Sequence, residues 1–304
     1  MTATAEAPGG YADRLLAELG DIETAFHSIL DDSAIMNTDP NRGADRGLIF
    51  VGYASWGWAK SGAELEAARM QLLGRVRDWG PRFRLLFPHP TPQVSKALDR
   101  SLALLEGWLV RRGGDHSVPA TVAAAKDKLA KKVEKLRELR DLLPIDEHPV
   151  RLIVDTNVLI DYPDLGLYRP QLGAKYRTHL LPVVLREIDD LKRSGRTQEL
   201  RDWAKRADRY LKELRRRGDV RAGVKVVDAV TAVFEHVEPR SDGLPSWLDL
   251  DVPDDRFVAS ALLLQSRHPG SVVHIATSDL NMQNKLGAVG LPYVEPSDGE
   301  TLSA

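Results

Sequence analysis

Hydrophobic residues recur at the spacing of one helical face through most of the N-terminal half of the chain. Within residues 11–30, the residues that follow this spacing are Leu15, Leu16, Leu19, Ile22, Phe26, Ile29 and Leu30. The same spacing predicts three further helices, across residues 61–79, 91–112 and 117–143. The pattern therefore predicts an all-helical domain over residues 1–147.

Beyond residue 147 the pattern changes to short apolar runs. Pro144 and Pro149 bracket the change, and they predict a domain boundary because proline ends helices and disfavours helix just before it. The runs are rich in β-branched residues and predict strands over residues 150–154, 179–184, 223–230 and 271–277. Since helical patterns separate most of these runs, they predict a parallel sheet covered by helices, in an α/β domain over residues 148–304.

An acidic residue follows each of these strand regions. Asp155 comes directly after the first strand, Glu187 lies one turn beyond the second, Asp254 begins a helix after a long loop, and Asp279 follows the last strand. The carboxyl ends of parallel strands share one edge of a sheet, where open sheets hold their ligands, so we expect these carboxylates to converge. Carboxylates that lie so close repel one another, which indicates bound divalent cations or raised pKa values. Oxygen ligands favour Mg²⁺ or Mn²⁺ over zinc.

Each of the four acids also has a structural explanation when it is considered alone. Asp155 and Asp254 stand where aspartate caps a helix N-terminus. Glu187 shares the segment "REIDDLKR" with two further acids, which is typical of a solvated helix face. Asp279 fits an ordinary turn and cap. The prediction of a metal site therefore rests on all four positions together.

The amino-acid composition excludes several kinds of site but does not identify the function. The chain has 304 residues, 43% hydrophobic and 28% charged, which is typical of a globular protein, and its net charge of −2 gives no overall signal for nucleic acid. It has no cysteine, which excludes disulfides, zinc–thiolate sites and thiol nucleophiles. No apolar run reaches the ~20 residues of a membrane span. The segment "MTATAEAPGG" lacks the features of a secretory signal, so we expect a cytoplasmic protein with no membrane contact.

Four segments of the C-terminal half resemble PIN-domain nucleases. They are, in chain order, "LIVDTNVLID", "LPVVLREIDDLK", "PDDRFVASAL" and "IATSDLNMQNKLGAVGLPYV". The resemblance covers roughly residues 148–296, and the closing segment is similar to the larger, PhoH-associated type of PIN domain. It implies a three-layer α/β/α sandwich with a central parallel sheet, a divalent-metal site, and cleavage of phosphodiester bonds, usually in RNA.

Carried over by motif, the resemblance assigns both catalysis and metal binding to Asp155, Glu187, Asp254 and Asp279. It assigns supporting polar roles to Thr156, Asn157, Ser278 and Asn281. Asp255 is ambiguous beside Asp254, although the family spacing to a large apolar residue fits Asp254 with Phe257. The expected protein is a divalent-metal-dependent endoribonuclease for single-stranded RNA. Asp155 is the expected central ligand, and Glu187 is either a ligand or the group that orients the water.

A basic segment follows Glu187 directly. Residues 196–225 hold eleven basic residues against five acidic ones, and such a segment can bind phosphates without reading sequence. The residues predicted to bind RNA are Arg196, Arg201, Lys205, Arg209, Lys212 and Arg216. The alternative is a solvated helix that carries many ion pairs. Trp203 and Tyr210 lie seven residues apart, and this spacing favours core packing over base stacking.

Three alternatives to the ribonuclease differ in turnover, partner or substrate. A toxin-type RNase would need a protein antitoxin, and the long N-terminal extension counts against a simple toxin. A catalytically silent RNA-binding scaffold would be expected to lack one or more acids, and none is missing. A flap-type DNA nuclease would carry a helical DNA-binding motif, which is not found here, so DNA is a weaker candidate than RNA.

Residues 1–147 resemble no family that we recognise. The charge run "KDKLAKKVEKLRELR" at residues 126–140 predicts an exposed helix surface. The helical domain could position substrate, bind a protein partner or form a homo-oligomer, and its sequence does not distinguish these roles.

Overall fold

A computed structural model describes residues 10–38, 55–112, 117–144, 146–236, 238–241, 244–245 and 247–296. The chain divides into two compact units, one from Ala12 to Leu143 and the other from Pro144 onwards together with the N-terminal residues up to Tyr11. Among the described residues, no helix is both long enough and apolar enough to cross a membrane.

Four long helices build the first unit, in agreement with the predicted helical patterns. They are α1 (Tyr11–Asp31), α2 (Ala63–Leu85), α3 (Pro92–Val110) and α4 (Val122–Leu139), and a short 3₁₀ turn (Arg140–Leu142) follows α4. Each helix buries one apolar stripe, such as Leu129, Val133 and Leu136 on α4. Arg69 on α2 is buried and donates to the carbonyl of Leu109 at 2.9 Å and 2.5 Å, which satisfies an otherwise free carbonyl at the end of α3.

The prediction that residues 1–147 are all-helical is wrong in one respect. Two short strands, β1 (Ile35–Asn37) and β2 (Trp56–Trp58), pair in an antiparallel ladder with Met36 opposite Gly57. Strands of three residues are too short for alternating hydrophobicity to distinguish them from a loop. Trp58 packs edge-on against Trp108 with ring centroids 5.5 Å apart.

The second unit is a six-stranded mixed sheet flanked by helices, consistent with the predicted three-layer α/β sandwich. Its strands are β3 (Val150–Val154), β4 (Arg177–Leu180), β5 (Val224–Val227), β6 (Val230–Phe234), β7 (Val272–Ala276) and β8 (Tyr293–Val294). Its helices are α5 (Thr156–Asp161), α6 (Arg169–Leu172), α7 (Pro182–Ser194), α8 (Gln198–Arg216), α9 (Pro253–Arg267) and α10 (Leu280–Ala288). The strand order is β5-β6-β4-β3-β7-β8, and every neighbouring pair is parallel except β5 with β6.

Three strand predictions need correction. The run at 179–184 is strand only as far as Leu180, because Pro182 begins α7 and its fixed φ suits the first turn of a helix. The run at 223–230 is not one parallel strand but a hairpin that turns at Asp228, whose φ is 46°. The two-residue strand β8 was not predicted.

The order of the strands places a crevice at the carboxyl ends of β3 and β7. From β3 the chain crosses to β4 on one side, and it later returns to β7 on the other side. Such a reversal separates the loops that leave the two central strands, and ligands bind in the gap. The backbone N–H of Asp155 donates to the carbonyl of Ala276 at 3.0 Å, so the ends of β3 and β7 are held together.

A network of charged side chains connects β3 to β4 and to the residue that follows β6. Arg151 on β3 donates to Asp146 at 2.6 Å and to Nε2 of His179 at 2.9 Å. His179 therefore carries its proton on Nδ1, which faces Glu235 at 2.8 Å. Burial lowers the pKa of His179 to about 4, although Glu235 opposes the shift. The network is thus built around a neutral histidine.

Candidate active site

Five carboxylates line one cleft of about 320 Å³ at the carboxyl ends of β3 and β7. They belong to Asp155, Glu187, Asp190, Asp254 and Asp279. The rest of the lining is Thr156, Asn157, Leu191 and Met282, so none of the described residues that line the cleft is basic. The four acids predicted from the sequence therefore reach one place, as the topology of a parallel sheet requires.

Asp155 is the most enclosed of these acids and is only 8% exposed. It stands at the N-cap position of α5, yet its side chain makes no capping hydrogen bond. Instead its Oδ2 accepts a hydrogen bond from the Thr277 hydroxyl at 3.0 Å. Burial raises the pKa of Asp155 above 3.8, the Thr277 hydroxyl opposes this shift, and the charge of Glu187 adds to it. A buried carboxylate beside another carboxylate is a site that a cation would stabilise.

Glu187 is held on the opposite wall by the polar residue that follows Asp155. The Thr156 hydroxyl donates a short hydrogen bond to Oε2 of Glu187. Because Thr156 belongs to α5 and Glu187 to α7, this bond connects two helices across the cleft. Oε1 of Glu187 makes no hydrogen bond to a described residue and is available for a ligand.

Asp254 lies in the first turn of α9 and is bound by two residues of α10. Its Oδ2 accepts from the Asn281 amide at 3.1 Å and from Lys285 at 3.3 Å. The neighbouring Asp255 does not line the cleft, because its carboxylate binds the N–H of Asp249 at 3.0 Å and Lys285 at 2.8 Å. Burial would raise the pKa of Asp255, but Lys285 and Asp249 outweigh it and lower that pKa. Of the two adjacent acids, Asp254 is therefore the one that faces the cleft.

Asp279 combines a structural role with its position in the cleft. Its Oδ1 accepts from the backbone N–H groups of Asn281 at 2.7 Å and Met282 at 3.1 Å, which caps the N-terminus of α10. The capping explanation, which was one of two for this residue, is therefore correct for Oδ1. Its Oδ2 has no hydrogen-bond partner among the residues that the structure describes.

The donor set of the cleft fits a hard divalent cation. The ligating atoms available are carboxylate oxygens, which suit Mg²⁺ or Mn²⁺, and the lining carries negative charge without a basic residue. In the arrangement observed, no three acidic or histidine side chains in the described part of the chain gather around one point closely enough to hold a metal. A metal bound by several of these acids therefore requires side-chain rotation, which the oxygens without partners on Glu187 and Asp279 permit.

The predicted supporting residues have different positions. Thr156 and Asn157 line the cleft, and Asn281 binds both Asp254 and Asp279. Ser278 is exposed and does not line the cleft. The preceding residue, Thr277, is fully buried and supports Asp155, a contact that the sequence prediction missed.

Asp190 also lines the cleft, although the sequence analysis assigned it no role and named it only as an acid beside Glu187. It lies on α7 three residues after Glu187, and residues three apart share a helix face. The spacing of three residues from Glu187 is the sequence signal that could have identified Asp190 as a cleft residue. The adjacent Asp189 is exposed, pairs with Lys192 at 2.6 Å and does not line the cleft.

The predicted RNA-binding residues lie on or just before α8, which packs against α7 and α5. Three of the six have local partners: Lys205 pairs with Asp202 at 2.8 Å, Lys212 pairs with Asp208 at 2.7 Å, and Arg201 donates to Gln198 and Gly195. The other three, which are Arg196, Arg209 and Arg216, are exposed and make no ion pair with a described residue. The sequence alternative of an ion-paired helix is therefore partly correct.

The expected core packing of Trp203 is wrong, whereas Tyr210 is half-buried. Trp203 is 36% exposed on the outer surface of α8, and the residues of this helix that are buried are Ala204, Ala207, Leu211 and Leu214. A seven-residue spacing places two side chains on one helix face but does not determine how deeply each is covered.

Residues 152–295 match the family model of the PIN domain. Comparison with curated proteins gives no match for the chain. The matched range includes every residue that lines the acidic cleft.

Proposed function

We propose that this protein is a divalent-metal-dependent endoribonuclease acting on single-stranded RNA, because residues 152–295 match the PIN domain, which suggests a nuclease superfamily. The observation that carries the proposal is the cleft itself. It collects five carboxylates from four separate segments of the chain and no basic side chain among its described lining residues. Such a concentration of negative charge repels a phosphodiester unless cations intervene.

The proposed ligands of the metal are Asp155, Glu187, Asp254 and Asp279. A bound divalent ion lowers the pKa of a water molecule and stabilises the charge that develops on the phosphate oxygens. The chain's own residues determine where this happens. Thr277 orients Asp155, Thr156 orients Glu187, and Asn281 holds Asp254, each through a hydrogen bond that restricts the carboxylate.

Glu187 has the geometry of a group that could accept a proton from the attacking water. Its Oε2 is held by Thr156, and its Oε1 makes no hydrogen bond to a described residue. A free carboxylate oxygen that faces the cleft can orient a water molecule and take up its proton. Glu187 could equally contribute a ligand, and a Gln substitution that keeps metal binding but stops cleavage would favour the role in proton transfer.

RNA is the proposed substrate because α8 and the turn before it carry exposed cations next to the helix that supplies Glu187. Arg196, Arg209 and Arg216 are exposed and without ion pairs among described residues, so phosphates can reach them without first breaking a salt bridge. The exposed ring of Trp203 lies on the same helix and can stack on an unpaired base. Unpaired bases are accessible in single strands, which favours a single-stranded substrate.

The test is cleavage of labelled single-stranded RNA and single-stranded DNA by the full chain with Mn²⁺, Mg²⁺ or EDTA. The Asp155→Asn variant should lose metal-dependent RNA cleavage. The matched control is Asp161→Asn, because Asp161 is exposed at the end of α5 and does not line the cleft, so this variant should cut at the wild-type rate. Cleavage that survives EDTA, or that survives in Asp155→Asn, would disprove the mechanism. Binding of RNA without cleavage under all conditions would indicate a scaffold instead.

A further inference from the structure

A second cavity, of about 810 Å³, lies in the helical unit along α3 and α4. Four of its lining residues are basic: Arg100, Arg112, Lys128 and Lys132. Of the described lining residues only Glu106 is acidic, and Arg77 binds its carboxylate at 2.6 Å. We call this cavity the basic groove. Its charge is opposite to that of the acidic cleft.

Three cations of the basic groove are available to a ligand. Arg100, Arg112 and Lys132 make neither an ion pair nor a side-chain hydrogen bond with any residue that the structure describes. Lys128 is held in place, because its Nζ donates to the carbonyl of Ser117 at 2.5 Å and lies 6.0 Å from the ring centre of Trp108. Among the residues that the structure describes, the groove therefore has one fixed cation and three without a partner.

The sequence prediction of an exposed, solvated surface for residues 126–140 is correct only for part of that helix. Lys126 pairs with Asp31, and Lys135 pairs with Glu138 at 2.7 Å, as a solvated face would. Lys128 and Lys132 instead line the basic groove. They lie one helical turn apart, which separates them by about 6 Å along the axis of α4.

The wall of the groove between these cations is apolar. It is formed on α3 by Ala103, Leu104, Gly107 and Val110. A ligand that suits the groove therefore carries several negative charges and also an apolar surface. A single-stranded nucleic acid has both, since its phosphates are regularly spaced and its bases are apolar on their faces.

We propose that the basic groove binds the phosphate backbone of single-stranded RNA and gives the helical unit a role in substrate capture. The choice of RNA as the polyanion rests on the proposed ribonuclease function. The binding itself depends only on the groove. Each phosphate bound by a lysine or arginine releases a counterion, so the affinity must fall as salt concentration rises.

The experiment measures the affinity of the full chain for a fluorescein-labelled oligouridylate of about 12 nucleotides, within the range of single-strand site sizes. Fluorescence anisotropy is recorded in EDTA at several salt concentrations. The double variant Arg112→Glu/Lys132→Glu should bind at least about tenfold more weakly, and the slope of log affinity against log salt should decrease by about 1.4, or ~0.7 per lost phosphate contact. Lys128 is left intact because it also holds Ser117.

The matched control is Lys131→Glu, compared with the single variant Lys132→Glu, because the two variants change the charge by the same amount and Lys131 is exposed on α4 outside the groove. It should change the affinity by less than about twofold. Equal weakening by both variants would overturn the proposal, since a general charge effect would then explain it. The milder Arg112→Gln/Lys132→Gln variant tests whether weaker binding results from unfolding, and its thermal melting curve should match that of wild type. Wild-type affinity in this variant would also overturn the proposal.

A competitor distinguishes RNA from an acidic peptide as the ligand of the groove. Measurement in EDTA distinguishes the groove proposal from the proposed ribonuclease function. A polyglutamate competitor that displaces the RNA at equal charge concentration would identify the groove as an acidic-peptide site and overturn the assignment to RNA. Because binding is measured in EDTA, it does not depend on cleavage. Loss of binding in the groove variant alongside a wild-type protein that does not cut RNA would support the groove and contradict the proposed function.

Discussion

The hydroxyl of Thr277, at the end of β7, donates a hydrogen bond of 3.0 Å to Oδ2 of Asp155, at the end of β3. The same oxygen of Thr277 accepts from the backbone N–H of Asp279 at 3.2 Å. One buried hydroxyl therefore connects two of the acids that line the cleft. Since Thr277 is fully buried, this arrangement leaves it little freedom to find other partners.

Replacing Thr277 by Val should weaken the active site without removing a carboxylate. The variant keeps the shape of the side chain but removes the side-chain hydroxyl that donates to Asp155, so we expect metal affinity and RNA cleavage to fall by about tenfold or more. Thr277→Ser keeps the hydroxyl and should retain most of both. Because the Thr277 hydroxyl lowers the pKa of Asp155, the valine variant should also shift the acid limb of the pH–rate profile to higher pH. An unshifted profile with equal activity would show that Thr277 only packs.

Asp155→Asn should raise stability in the absence of divalent ions. Asp155 is buried beside Glu187, so its charge opposes folding at neutral pH, and the amide removes that charge at nearly constant volume. We expect a higher urea midpoint than wild type in EDTA at pH 7, with the difference decreasing as pH falls toward 3.8 and Asp155 becomes protonated.

Adding Mn²⁺ should reverse the order of stability, so that wild type becomes more stable than Asp155→Asn. A ligand that binds only the folded state stabilises it by ~2.7 kcal/mol at a concentration of 100 times its Kd. Wild type should therefore melt at a higher temperature with Mn²⁺, whereas Asp155→Asn should respond weakly. Equal Mn²⁺ shifts in both proteins would exclude Asp155 as the central ligand.

Asp190→Asn should raise the Mn²⁺ concentration that gives half-maximal cleavage by about threefold to tenfold. Asp190 lines the cleft but is exposed, so its charge attracts cations without an enclosed ligand position. The control is Asp189→Asn, the adjacent residue on the same helix, which does not line the cleft. A larger effect at Asp189 than at Asp190 would contradict the structure of this wall.

Much of the acidic cleft could be predicted from the sequence because the signals were local. An apolar strand followed by an acid is visible at Val154–Asp155 and again before Asp279, and the parallel topology then brings the two acids together. The choice between Thr277 and Ser278 could not be made in the same way. Four of the five residues of β7 are buried, on both faces of the sheet, so the alternation of side chains does not show which of the next two residues is covered.

The features that could not be predicted depend on contacts distant in sequence or on weak turn signals. The run "GVKVVDAV" hides its hairpin because the turn residues, Asp228 and Ala229, include neither glycine nor proline. The basic groove depends on α3 packing beside α4, which periodicity within either helix does not reveal. The capping of α10 by Asp279 leaves one oxygen free, a distinction between two atoms that no sequence pattern carries.

Lys285→Gln should bind Mn²⁺ more tightly but fold less stably. Lys285 contacts both Asp254 in the cleft and Asp255 behind it, at 3.3 Å and 2.8 Å, so it competes with a cation for Asp254. Removing the lysine charge frees Asp254 but leaves the largely buried Asp255 with the N–H of Asp249 and no cation, at a cost of about 1–3 kcal/mol of unfolding free energy. Calorimetric titration with Mn²⁺ and urea unfolding in EDTA measure the two effects. Weaker metal binding would show that Lys285 orients Asp254 rather than competing for it.

His179→Gln should make the protein less sensitive to mild acid, although somewhat less stable at neutral pH. His179 has a pKa of about 4 in the folded chain and an ordinary value of 6.5 when unfolded, so its contribution is fully present above pH 6.5 and is lost as pH falls toward 4. The groups that face it are Arg151, Glu235 and the ring of His268, 5.6 Å away between centroids. Glutamine does not titrate, so the free energy of unfolding of the variant should decline less between pH 6.5 and 4 than that of wild type. The two declines should differ by on the order of a few kcal/mol. Urea unfolding at several pH values measures the slope, and His27→Gln, in the helical unit and outside this network, should leave it unchanged. Parallel slopes for wild type and His179→Gln would show that the histidine is not the group whose protonation destabilises the sheet.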